Sequence, residues 1–180
     1  DAIGGVMSFT TLQPVVGTKG VHGSAQARYS SANSEQTGHI DLQYGGPKWA
    51  GITSLSRWDF DHLRQGSRGP QDYIKASYVE VTPDGDVVRI QNDSLLQIPT
   101  GYTQQNLMQK FVYVPATGWE LQYGLHHSAT SDYGRYDRHN RVRNGLPRYA
   151  EWSYGPQRWT MHNLALRREA NKRFADLWTL

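Results

Sequence analysis

Hydrophobic residues in this chain recur at every second position and almost nowhere at helical spacing. Side chains alternate between two faces only in an extended strand, so the pattern restricts the chain to β-structure with one apolar face. In 21–29, Val21, Gly23, Ala25, Ala27 and Tyr29 fall on one side, with His22, Ser24, Gln26 and Arg28 on the other. In 38–46, Ile40, Leu42 and Tyr44 oppose His39, Asp41 and Gln43. Leu107, Phe111 and Tyr113 share a side within 106–114, which Gln109 interrupts. Trp119, Leu121, Tyr123 and Leu125 oppose Glu120, Gln122, Gly124 and His126 in 119–127. Segments 49–60, 158–167 and 173–180 also read as strands, although Arg57 and Asp59 take no clear side. The expected fold is all-β, an antiparallel meander of about seven strands.

The connections sort by length. Short ones at 45–48, 114–118 and 168–173 carry the Gly, Pro or Asn that tight turns use. The alternate ones, 30–37, 61–105 and 128–157, read as longer and polar. Short turns at one end and long loops at the other are the layout of an outer-membrane-type barrel. Within 61–105, Asp84-Gly85 between Val81 and Val87-Val88 predicts a small hairpin.

Composition agrees with a membrane strand pattern. Hydrophobic residues make up only 37 %, yet the chain holds 6 Trp and 11 Tyr. A barrel needs one apolar residue in two, facing lipid, and no thick core. Aromatic rings stand beside the short turns, Tyr44 and Trp49 at the first, Tyr113 and Trp119 at the second, Phe174 after the third. An interfacial girdle would place them so. The net charge of +3 is too small to argue for nucleic acid, and no apolar run is long enough for a transmembrane helix. There is no cysteine, hence no thiol or disulfide chemistry.

Against this pattern the opening DAIGGVMSFTTLQP becomes readable. It resembles the end of the plug domain in TonB-dependent outer-membrane receptors: Asp1-Ala2-Ile3-Gly4-Gly5-Val6, then a strand Met7-Ser8-Phe9-Thr10-Thr11, closed by Pro14. Segments within 21–127 resemble barrel hairpins of the same family. The resemblance implies that residues 1–16 end a plug domain and 17–180 begin a transmembrane β-barrel. Barrels of that family have about 22 strands, so the chain is expected to be a fragment of a larger protein. It implies residence in the outer membrane of a Gram-negative bacterium and import of a scarce small nutrient: an iron chelate, haem, cobalamin or glycan. The implied partners are the TonB complex, through parts of the protein not in this chain, and the lipid bilayer with its lipopolysaccharide. Residues 61–105 and 128–157 would then lie outside the cell.

Candidate ligand-binding residues are Tyr133, Arg135, Tyr136, Arg138, Arg141 and Arg143, in a loop where arginines interleave with tyrosines. Such a set suits an anionic chelate, through charge-assisted hydrogen bonds and stacking. It equally suits lipopolysaccharide phosphates or plain solvation. Arg28, Asp41, Lys110, Glu120 and His126 sit opposite apolar faces and are the expected lumen-facing residues. His126 and His127 are adjacent on a strand, point to opposite faces, and so cannot share a metal without a bulge. No nucleophile-and-base pair, phosphate loop or paired-His zinc motif is visible, so no enzymatic activity, cofactor or metal is expected. Two alternatives stay open: a soluble all-β carbohydrate-binding module, and an outer-membrane barrel outside the TonB-dependent family.

Overall fold

A computed structural model describes residues 4–5, 7–172 and 175–179, with side chains to residue 169. The chain is all-β. Seven strands form one antiparallel meander, each paired with its sequence neighbour: β1 (Gly20–Ser30), β2 (Glu35–Gly45), β3 (Trp49–Phe60), β4 (Tyr102–Tyr113), β5 (Trp119–Thr130), β6 (Arg158–Lys172) and β7 (Ala175–Thr179). No helix of the described residues is long and apolar enough to cross a membrane, which says nothing of crossing by strands.

The register sorts side chains onto two faces. One lateral row of opposed residues runs Val21, Tyr44, Gly51, Phe111, Tyr123 and Leu164 across β1 to β6. A second row on the same face runs Ala25, Ile40, Leu55, Leu107, His127 and Thr160. The opposite face carries Gln26, His39, Ser56, Asn106, Ser128 and Trp159 in its corresponding row. The alternation therefore separates an apolar face from a polar one. Arg57 and Asp59 lie on the apolar face, opposite Gly38 and Gln36.

Gln109, which interrupts the apolar pattern, has a structural reason. Its side chain donates to the Tyr44 hydroxyl at 2.9 Å and accepts from Thr53 Oγ1 at 2.6 Å. Three polar groups on the apolar face thus satisfy one another.

Three expectations need correction. The connection 30–37 is not a long loop: β2 begins at Glu35, leaving a turn at 31–34 with Ser34 at φ 48°. Arg28 and Thr37 both donate to the Glu35 carboxylate, and this holds the hairpin closed to its end. The turn expected at 168–173 is instead largely strand, since β6 reaches Lys172, with a register shift between Glu169 and Lys172. Residues 7–11 form no strand, because no described segment pairs with them. The chain meets the polar face only at residues 11–17, near its short-turn end, where Lys110 Nζ donates to Thr11 Oγ1 at 2.6 Å, Gln13 and Pro14 lie against Lys110 and Val112, and Gly17 N donates to Gly46 O at 3.0 Å. Ala50, Ile52 (0 % exposed) and Val112 are buried on this face. Asp1, Ala2, Ile3, Val6 and the Phe174 ring lie outside the described residues.

The expected hairpin in the first long loop is present as Ser77–Thr82 paired with Gly85–Ile90.

Candidate functional site

Three regions carry groups that could meet a ligand: the apolar face, the polar face and the packed long loops.

On the apolar face, ring and polar residues keep a fixed spacing. Tyr44 and Gln36 on β2, Trp49 and Arg57 on β3, Tyr113 and Gln105 on β4, and Trp119 and His127 on β5 each stand eight residues apart. Between each pair the face is apolar, apart from the Tyr44–Thr53–Gln109 cluster. Both boundaries cut across the hydrogen-bonded rows. Gln36 opposes Asp59, two residues beyond Arg57; Arg57 opposes Gln105; and Gln105 opposes Ala129, two beyond His127. The polar line therefore slips four residues over three strand steps. At about 3.3 Å per residue and about 4.8 Å between strands, it slopes at roughly 43° to the rows. The aromatic line slips identically, since Trp49 lies two residues before Gly51, the partner of Tyr44, and Trp119 two before Leu121, the partner of Tyr113. His162 on β6 continues the polar line. The rings pack together: Tyr44 and Trp49 at 6.2 Å, Trp49 stacked on Phe111 at 6.1 Å, and Arg168 over Trp119 at 4.7 Å.

The polar face gathers Arg28, Asp41, Lys110, Glu120 and His126, the five residues expected on one side. Arg28 pairs with Glu35, and Lys110 holds Thr11. Glu120 accepts from Gln122 at 2.7 Å and faces Arg167 at 3.8 Å. Asp41 accepts from His39 Nε2 at 2.8 Å, and His39 Nδ1 lies 2.7 Å from Ser56 Oγ. This Ser–His–Asp series escaped sequence reasoning, because His39 and Ser56 meet only once the β2–β3 register is known. It sits on the interior strands β2 and β3, whose N–H groups are committed to ladders on both sides. Backbone N–H groups there are not free to serve as oxyanion donors, and the members of the series hydrogen-bond to one another. His127 is on the other face from His126 and bonds Thr160 Oγ1 at 2.8 Å.

The loops 61–101 and 131–157 pack against each other. Tyr136 donates to Tyr73 O at 2.8 Å, and the Lys75 ammonium lies 5.2 Å from the Tyr136 ring centre. Lys75, 7 % exposed, donates to Ile98 O at 2.7 Å. Burial brings its pKa down to about 8. His139, also 7 % exposed, bonds the Trp152 backbone, and burial holds it below the usual imidazole range. Lys75 and His139 line a cavity with Asp132, Tyr133 and Glu151. Sequence reading missed both residues, because nothing local to either marks it for burial.

Of the six candidate ligand residues, four are engaged in this packing. Arg135 forms two hydrogen bonds with Asp137, at 2.8 and 2.5 Å, and donates to the Tyr154 hydroxyl at 3.0 Å. These bonds hold the Asp137 carboxyl below the usual carboxylate range. Arg138 stacks on Trp152 at 5.2 Å, and Tyr133 packs between Tyr102 and Tyr154. Tyr136 is the staple to the other loop. Arg141 and Arg143 differ: both are exposed, beside a tight turn at Asn144-Gly145, where φ is 52° and 79°. Neither forms an ion pair among the described residues.

No family model, curated protein or solved structure matches the chain.

Proposed function

We propose that the chain is part of a TonB-dependent outer-membrane receptor that imports a small scarce nutrient, with β1 to β6 crossing the bilayer and residues 1–16 ending the plug domain. The sloping apolar band carries this reading. Strands of a transmembrane barrel tilt by about 35–45°, so the membrane plane must cut hydrogen-bonded rows at that angle. The two parallel boundaries slope by roughly 43°. Eight residues at that slope span roughly 20 Å in height, comparable with an apolar band of about 25 Å. The aromatic line is then the girdle on the short-turn side, and the long loops face outward.

The polar face becomes the lumen wall, met near its short-turn end by the N-terminal segment as the end of a plug would meet it. Arg141 and Arg143 are the ligand contacts left free by the loop packing. Arg135, Arg138, Tyr133 and Tyr136 act by holding the loop that presents them. Nutrient selection by such loops needs no covalent chemistry.

A deletion strain tests the reading. Loss of uptake of one chelate, cobalamin, haem or glycan, with the protein in the outer-membrane fraction and uptake dependent on TonB, is the expected result. Recovery of the full-length protein from the soluble fraction would refute it. A soluble carbohydrate-binding module is the second reading, favoured by the clustering of Tyr44, Trp49, Phe111 and Trp119 on one face. That reading gives no reason for a second, parallel polar boundary.

A further inference from the structure

We infer that Met108, His126 and Met161 form a binding site for a soft monovalent metal ion, Cu(I), on the polar face. The register sets His126 directly between the two methionines: Met108 is its partner on β4 and Met161 its partner on β6. Neighbouring strands lie about 4.8 Å apart, so the two thioethers flank the imidazole with roughly 10 Å between their Cα atoms. Three rotatable bonds let each methionine swing its sulfur inward over the ring. The site follows from register and side-chain type, so it goes beyond the receptor reading and does not depend on it.

The imidazole has no other use in the structure. The chain holds 7 histidines, and each of the others makes a hydrogen bond through its ring. His126 makes none among the described residues. Its neighbours along β5 on the same face are Gly124, which has no side chain, and Ser128, whose hydroxyl donates to Asn106 at 2.8 Å. Met161, 47 % exposed, has no packing reason to stand on a polar face. His126 and Met161 line a depression of about 210 Å³ with Gln122 and Asn163, bounded by Gln13 and Pro14, which leaves room for an ion.

The donor set selects the metal. Thioethers are soft ligands that favour Cu(I), and imidazole suits copper as well. A hard divalent ion would want carboxylates, and among the described residues no three His, Cys, Asp or Glu side chains come together. Asp41 shares the lateral row, but Ser54 stands between it and Met108, and its carboxylate accepts from His39. All three ligands are neutral, so a bound ion keeps its charge, which costs least for a monovalent one. Lys110, two residues from Met108 on the same face, strengthens that preference; its ammonium is turned to Thr11.

The test titrates purified full-length protein with Cu(I), without oxygen, against a chromogenic Cu(I) chelator. The wild type should bind one equivalent roughly a hundredfold more tightly than Met108→Leu/Met161→Leu does, since even outer-shell partners of a metal are worth roughly 10–100-fold. Leucine keeps the volume and apolar character of methionine. His126→Gln, which leaves both thioethers in place, should lose the same equivalent and serves if the double variant assembles poorly. Zn(II) binding should not differ between wild type and variants. Equal Cu(I) binding by wild type and variants overturns the site, and loss of Zn(II) together with Cu(I) overturns its softness. Neither result touches the receptor reading, and recovery of the protein from the soluble fraction would sink that reading while leaving the site standing.

Discussion

The Tyr44 ring occupies the space above Gly51, its opposite number on β3: a Cβ on Gly51 would come within 2.5 Å of the ring. Glycine on a strand interior is otherwise unfavourable, and here it admits an aromatic from the neighbouring strand. The ring so placed puts its hydroxyl 3.1 Å from Thr53 Oγ1 and within reach of Gln109. Gly51→Ala should therefore displace Tyr44 and break the cluster, costing about 1–3 kcal/mol. In a Tyr44→Ala background the same change should cost much less. A double-mutant cycle on unfolding from detergent measures the coupling; additivity would contradict the relationship.

Adjacent residues on β4 separate the two faces. Leu107 lies on the apolar band and Met108 on the polar face, opposite Ser54 and His126. If the band meets lipid, Leu107→Arg should cost about 2–4 kcal/mol and hinder insertion. Met108→Arg should assemble nearly as well as the wild type. Assembly is read by heat-modifiable gel mobility. Equal tolerance of both changes would argue for water on both faces.

The packed loops should tighten as pH rises, in two windows. Burial lowers the proton affinity of both His139 and Lys75 in the folded loops. The unfolded loop therefore holds protons that the folded one has released, and stability rises with pH wherever that holds. For His139 the window lies at and below the usual imidazole value of 6.5; the hydrogen bond with the Trp152 backbone, then Glu151 and Asp137, partly offset its burial, while Lys75 adds to it. For Lys75 it runs from about 8 up to the usual 10.5. Protection of loop amides against exchange should climb in both windows and stay level between them, after correction for intrinsic rates. Protection falling with pH in either window would contradict this account of the packing.

Local pattern made the strands and their faces legible, while pairing hid most of the rest. The bounds of 49–60 and the sides of Ile40, Leu42, Leu107 and Glu120 follow from alternation alone. The turn at 31–34 was hidden because Glu35 and Thr37 look like loop residues until Arg28 closes on them. Residues 7–11 alternate like a strand, yet a strand needs a partner, and among the described residues they have none. Ser56 and His39, or His126 with Met108 and Met161, are brought into relation by register, which one strand's pattern does not encode. The eight-residue spacing from Gln36 to Tyr44 and from Trp49 to Arg57 is present in the sequence, but its slope appears only when strands are aligned.

That slope is the central claim, and bilayer depth tests it most directly. The chain has no cysteine, so single spin labels can be placed in it once any cysteine elsewhere in the full-length protein is replaced. Labels at Gln36 and His162, on the sloping polar line, should report the same depth. Labels at Gly38 and Arg158, which lie on one hydrogen-bonded row, should differ by roughly 13 Å. Equal depth for Gly38 and Arg158, or full water exposure at all four positions, would contradict a membrane plane drawn along that line.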